Sequence, residues 1–139
     1  MAVVFCENKS LLKQPLVARV LQIKLWYVGD NNIKIVDDIA SEFARTLYYI
    51  CDWDLAGLQI YLRIKHKLAL RGKGISLLYP DSSHKRIRED AAHHNTRWTD
   101  TEFSGLDAGH FAARESALIS FLIPRIGAAD VCIGCRFSW

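Results

Sequence analysis

The stretch Leu47-Tyr48-Tyr49-Ile50-Cys51-Asp52-Trp53-Asp54 does most to limit what this chain can fold into. Its first five residues are apolar or aromatic and carry no charge, the pattern of a strand covered on both faces. A continuous run of that kind belongs to a parallel sheet with helices on its faces. Asp52 and Asp54 follow at the carboxyl end, where open α/β sheets place their ligands. Residues two apart in an extended chain point the same way, so both carboxylates can converge on one cation. Ala56-Gly57 then allows a tight turn into a helix that packs close to the strand.

A second run, Ala2-Val3-Val4-Phe5-Cys6, also ends on an acid, Glu7, followed by Asn8-Lys9-Ser10. If the two strands are parallel neighbours, Glu7 lies beside Asp52 and Asp54. Three crowded carboxylates repel, and without a cation one of them takes up a proton. Mg²⁺ suits such a site, because it binds through one or two carboxylates, keeps several waters and accepts phosphate oxygens; Mn²⁺ is the expected substitute.

The rest of the chain alternates strand and helix. Asn8 to Leu21 is expected to be helical with an interruption at Pro15, and Ile23 to Val28 to be a strand. Gly29-Asp30-Asn31-Asn32 is a turn cluster. Ile35, Val36, Ile39, Ala40, Phe43 and Ala44 form a stripe that predicts a helix over Ile33 to Thr46. A further helix is expected from Leu55 to Leu70, with Leu58, Ile60, Tyr61, Leu62, Ile64 and Leu68 buried. Gly72-Lys73-Gly74 ends it, and Ile75 to Tyr79 is a fourth strand. Residues 82–105 are polar and irregular. Asp107 to Ile123 returns to helical spacing, and Val131 to Trp139 reads as a last strand or a loose tail. The fold class is therefore α/β, a parallel four-stranded sheet with helices on both faces.

The chain's 139 residues suit one domain, and its half-hydrophobic composition excludes a disordered chain. The net charge of +3 permits nucleic-acid binding without arguing for it. No apolar run has the length of a membrane span, and the opening Met-Ala-Val-Val-Phe is no signal peptide, so the expected compartment is the cytoplasm. Of the four cysteines, Cys6 and Cys51 fall in core strands as small hydrophobes. Cys132-Ile133-Gly134-Cys135 has no second C-x-x-C to complete a zinc site.

A glutamate after the first strand, then Asp-x-Asp and a glycine after a later one, resembles the Toprim domain of topoisomerases, primases and several nucleases. "VVFCENKSLL" is similar to the Glu-Asn-Lys opening of the Toprim domain of JetD, the nuclease subunit of Wadjet plasmid-defence systems. "CDWDLAGLQIYLRIK" is similar to JetD and to the A subunit of type IIB topoisomerases. The resemblance implies a Toprim fold and a Mg²⁺-dependent DNA endonuclease, with Glu7, Asp52 and Asp54 as catalytic and metal-binding residues. It implies DNA and a condensin-like SMC complex as partners, with a homodimer as a further arrangement. Relatives carry a DNA-binding region ahead of this domain and acidic residues after its last helix. This chain opens on the first strand and ends Arg136-Phe137-Ser138-Trp139, so it is expected to be a stand-alone module or a piece of a longer protein. The topoisomerase tyrosine nucleophile lies outside the Toprim domain, so no tyrosine here takes that role.

Each candidate has a plainer role beside the functional one. Asp54 suits a helix N-cap. Asn8 and Lys9 suit a helix start, or the orientation of Glu7 and the binding of a phosphate oxygen. Lys85, Arg86 and Arg88, near His93, His94 and Arg97, suit a solvated loop or a DNA-backbone contact. Asp81, Glu102, Asp107 and Glu115 are acids that could add a metal ligand. A non-cleaving Toprim module that grips DNA or protein is the rival from another class. A haloacid-dehalogenase-type phosphatase also uses Asp-x-Asp, but in its first strand and running on towards a Thr, whereas Leu55-Ala56 follow here.

Overall fold

The computed structural model describes residues 2–13, 15–29, 33–51, 55–78, 86–88, 102–122 and 135–137. The chain divides into two compact units, Met1–Cys51 with Ile60–Leu78, and Asp52–Gln59 with Tyr79–Trp139.

The first unit is built on a four-stranded sheet of β1 (Ala2–Cys6), β2 (Ile23–Tyr27), β3 (Leu47–Ile50) and β4 (Ser76–Leu77). All pairings are parallel and the order is β2-β1-β3-β4. β1 and β3 are the two central strands, which explains why their sequences are apolar without alternation. Val3, Val4, Phe5 and Cys6 are each at most 2% exposed, and Leu47, Tyr49 and Ile50 are buried. The edge strand β2 is only half-buried along most of its length.

Register sorts the core into two faces. Val4, Cys6 and Ile50 pack with Ile23, Leu25, Tyr48 and Leu78 on one side. On the other, Phe5 pairs in register with Trp26 and Tyr49, and its ring stacks on Trp26 at 5.8 Å. α1 (Lys9–Leu12) and α2 (Pro15–Val20) pack beside β2, with the break between them where proline was expected to interrupt the helix. The Asn8 Oδ1 accepts from the Ser10 N–H at 2.9 Å and so caps α1.

α3 (Leu55–Ala69) is the longest helix. Leu58, Tyr61, Ile64 and Leu68, spaced three and four apart, are at most 1% exposed, a single apolar stripe. Leu62, expected in the core, lies beside that stripe and is half-buried. Within the first unit, Tyr61 stacks on Tyr49 at 5.8 Å and donates its hydroxyl to the Ile75 carbonyl at 3.3 Å. The helix closes on Gly72, whose φ of 68° is left-handed, and the Lys73 N–H reaches back to the Leu68 carbonyl at 2.9 Å.

The connection from β2 to β3 departs from the sequence expectation. Instead of a helix over residues 33–46, there is one 3₁₀ turn at Ile33–Val36, followed by turns and bends. The cause lies at the end of α3. Arg71 donates from its guanidinium to the carbonyls of Val36, Asp37 and Ile39. Lys73 donates to the carbonyls of Ser41 and Phe43, at 2.8 and 2.7 Å. In a helix those carbonyls would accept from amides four residues on; here two cations take them. The apolar stripe still does its packing work, since Val36 and Ile39 are buried and Phe43 lies 6.0 Å from Trp26.

β4 covers Ser76–Leu77, shorter than the expected strand, although the Leu78 N–H continues the ladder to the Tyr49 carbonyl at 2.8 Å. Tyr79 lies outside the described residues.

In the second unit, β5 (Arg86–Arg88) and β6 (Cys135–Phe137) pair antiparallel. Thus part of the stretch expected to be irregular is strand, and the last residues include one. α4 (Ala113–Leu122) begins later than the expected Asp107, because Asp107 caps a separate 3₁₀ turn at Ala108–His110. The Glu115 carboxylate reaches back to the Ala112 N–H at 2.9 Å, the reciprocal half of a capping box. Phe103 and Phe111 meet edge to face at 6.0 Å.

Candidate functional site at the switch point of the sheet

The chain leaves β1 to form β2 on one side, then crosses back to form β3 on the other. That reversal makes the carboxyl ends of β1 and β3 a topological switch point, where doubly wound sheets open a crevice for a ligand. Glu7 follows β1 directly, and Cys51 follows β3, with Cys6 and Ile50 the last pair in register. Glu7 and Cys51 therefore follow neighbouring strands on one edge of the sheet.

Glu7 is half-buried, and its Oε2 accepts the Tyr49 hydroxyl at 3.1 Å. This bond spans the switch point from β3 to β1. Asn8, considered above as an orienter of Glu7, instead caps α1. Lys9 is exposed, with its ammonium 5.0 Å from the centre of the Tyr27 ring at the carboxyl end of β2. Tyr27 folds against Gly29, where a Cβ would lie 2.1 Å from the phenolic oxygen, so a larger residue would have to displace the Tyr27 ring.

Burial, and then the nearby Glu7 charge, push the Cys6 thiol up to about 11. At neutral pH burial keeps it a protonated core thiol. Cys51 is likewise buried.

Asp52 and Asp54 lie outside the described residues, as do Asp81, Lys85, His93, His94, Arg97 and Cys132. Arg86 and Arg88 lie on β5 by backbone. Among the described residues, no three His, Cys, Asp or Glu side chains gather as a metal site. Asp107 and Glu115 each bond backbone N–H groups of their own turns. The donor set proposed from the sequence is all carboxylate oxygen, which fits a hard cation such as Mg²⁺. Glu7, its described member, follows β1 at the carboxyl edge of the sheet.

A groove of about 440 Å³ lies along β2, lined by Leu12, Leu25, Trp26, Tyr27, Ile35 and Asp38. Its apolar walls and single carboxylate do not suit a phosphate. Among the described residues no helix is long and apolar enough to cross a membrane.

Fold and edge together define an α/β protein whose four-stranded sheet is parallel throughout, with an acid at its switch point. Compared with protein-family models, curated proteins and solved structures, the chain matches none.

Proposed function

We propose that this chain is a Toprim-type, Mg²⁺-dependent DNA endonuclease domain. The observation that carries the reading is the placement of Glu7 beside the carboxyl end of β3, from which the chain runs into Asp52-Trp53-Asp54. Glu7, Asp52 and Asp54 would hold the metal. Bound there, Mg²⁺ would lower the pKa of the attacking water and neutralise charge developing on the phosphate. The chemistry is hydrolysis: a water oxygen bonds to phosphorus, the bond from phosphorus to the leaving 3′-oxygen breaks, and that oxygen takes a proton. If Glu7 is not itself a ligand, it would exchange that proton as the general acid or base. Lys9, exposed at the same edge, is suited to meet a phosphate oxygen as a point charge. The similarity to JetD extends the proposal to plasmid defence with a condensin-like SMC complex, in the cytoplasm.

The test combines cleavage and stability. Plasmid DNA should be nicked or linearised with Mg²⁺ or Mn²⁺, and not by the Asp52→Ala, Asp54→Ala double variant. Mg²⁺ at about ten times its Kd should raise Tm by about 5 °C, through mass action on the folded state. Asp52→Asn should shrink that rise while leaving the metal-free protein folded, since one repulsive charge is gone. A Tm unmoved by Mg²⁺, with DNA retained but uncut, would replace the nuclease by the non-cleaving binding module.

A further inference from the structure

We infer that Tyr49 is the positioning residue for the Glu7 carboxylate, holding it in the orientation that binds the metal; this rests on the metal-site reading of Glu7. The Tyr49 side chain is 0% exposed, and its hydroxyl donates to Glu7 Oε2 at 3.1 Å across the β1–β3 boundary. The ring has little freedom. It lies 26° from parallel to Tyr61, with centroids 5.8 Å apart, and Tyr61 is itself tied to the Ile75 carbonyl. Its backbone is held by β1 on one side and β4 on the other. The phenolic oxygen is therefore fixed by a buried stack, while Glu7 sits on a half-buried rim with a flexible three-bond side chain.

A phenylalanine would fill the same core volume without bringing a hydroxyl that needs a partner. The hydroxyl has its partner in the one acid that follows β1. A carboxylate has about four lone-pair directions, so accepting one hydrogen bond leaves it the capacity to bind a cation. Partners of metal ligands set ligand orientation, and losing one typically lowers affinity about 10–100-fold.

The experiment is Mn²⁺ binding followed by the electron paramagnetic resonance signal of the free ion, on wild type, Tyr49→Phe and Tyr61→Phe. Tyr61→Phe removes from the same stack the hydroxyl that bonds the Ile75 carbonyl. The expected result is about a 10-fold weaker Kd in Tyr49→Phe and an unchanged Kd in Tyr61→Phe. Equal Kd values in wild type and Tyr49→Phe would overturn the positioning role and leave the metal site standing. No binding by wild type would overturn the metal site, and the positioning role with it. A Mg²⁺ titration of wild type, read by tyrosine ultraviolet difference absorption, needs no variant. A signal with the midpoint of metal binding supports the inference, and a flat trace overturns it.

Discussion

The two connections that flank β3 are built in opposite ways. The one that leaves it, α3, satisfies its interior backbone by its own i to i−4 ladder and buries one continuous apolar stripe. The one that enters it, residues 33–46, has few backbone bonds of its own: Asp37 N–H to Lys34, Ile39 N–H to Val36, and Phe43 N–H to Ala40. The carbonyls of Val36, Asp37, Ile39, Ser41 and Phe43 accept from Arg71 and Lys73, just beyond the end of α3. One segment is a self-sufficient element, and the other is a strap fastened by its neighbour. Two segments with similar apolar spacing thus reach burial by different routes, and the strap depends on the helix.

That dependence has an order. Breaking the packing of α3 should have the largest effect, because the strap and the β3–β4 pairing both hang on it. Leu68 is 0% exposed, and its carbonyl also accepts the Lys73 N–H that closes the helix. Leu68→Ala should destabilise by about 2–5 kcal/mol, through lost burial and the cavity left behind. Urea unfolding measures it. A loss below about 0.5 kcal/mol would place Leu68 on a site that collapses freely and would remove α3 as the support of the strap.

Unfastening the strap alone should have a smaller and more local effect. Arg71→Met keeps much of the aliphatic stem and removes three donors to carbonyls of residues 36, 37 and 39. Bonds from a charged donor contribute about 1.5–3 kcal/mol, and because Arg71 is exposed to water the total should fall near 1.5–2 kcal/mol. Amide exchange separates this from general weakening. The Asp37, Ile39 and Phe43 amides should exchange faster relative to those of β1 and β3. A uniform change across all of them would mean that strap and sheet open as one unit.

The strap is also where the fold was least legible from the sequence. β1, β3 and α3 follow from local runs and spacing, and so does the placement of Glu7 on the edge next to the end of β3. The stripe of Val36, Ile39 and Phe43 correctly marked residues that turn inward. It could not report that Arg71 and Lys73, some thirty residues later, would compete for the carbonyls a helix needs. Tyr49 was hidden for the same reason. Inside an apolar run it reads as core, and only the fold brings its hydroxyl to a carboxylate 42 positions away.

The smallest effect should come from an ion pair between strap and helix, that of Lys67 with Asp37. Lys67 Nζ lies 2.7 and 2.9 Å from the two Asp37 oxygens. The geometry is good, but the side chains are 32% and 58% exposed, so water and salt screen the attraction. Holding a lysine in one rotamer also opposes it. A double-mutant cycle with Lys67→Met and Asp37→Asn should give a coupling of about 0.2–1 kcal/mol at low salt. It should fall further at 1 M NaCl, where the Debye length is about 3 Å. The comparison with Arg71 is the informative part. Arg71 bonds neutral carbonyls of the backbone, which have no charge for salt to neutralise, so the Arg71→Met loss should change little across the same salt range. If the two losses fall together with salt, the strap is held by general electrostatic attraction to the end of α3. If only the Lys67–Asp37 coupling falls, the strap is held by its carbonyls, and the shape of residues 33–46 is set by hydrogen bonding to α3.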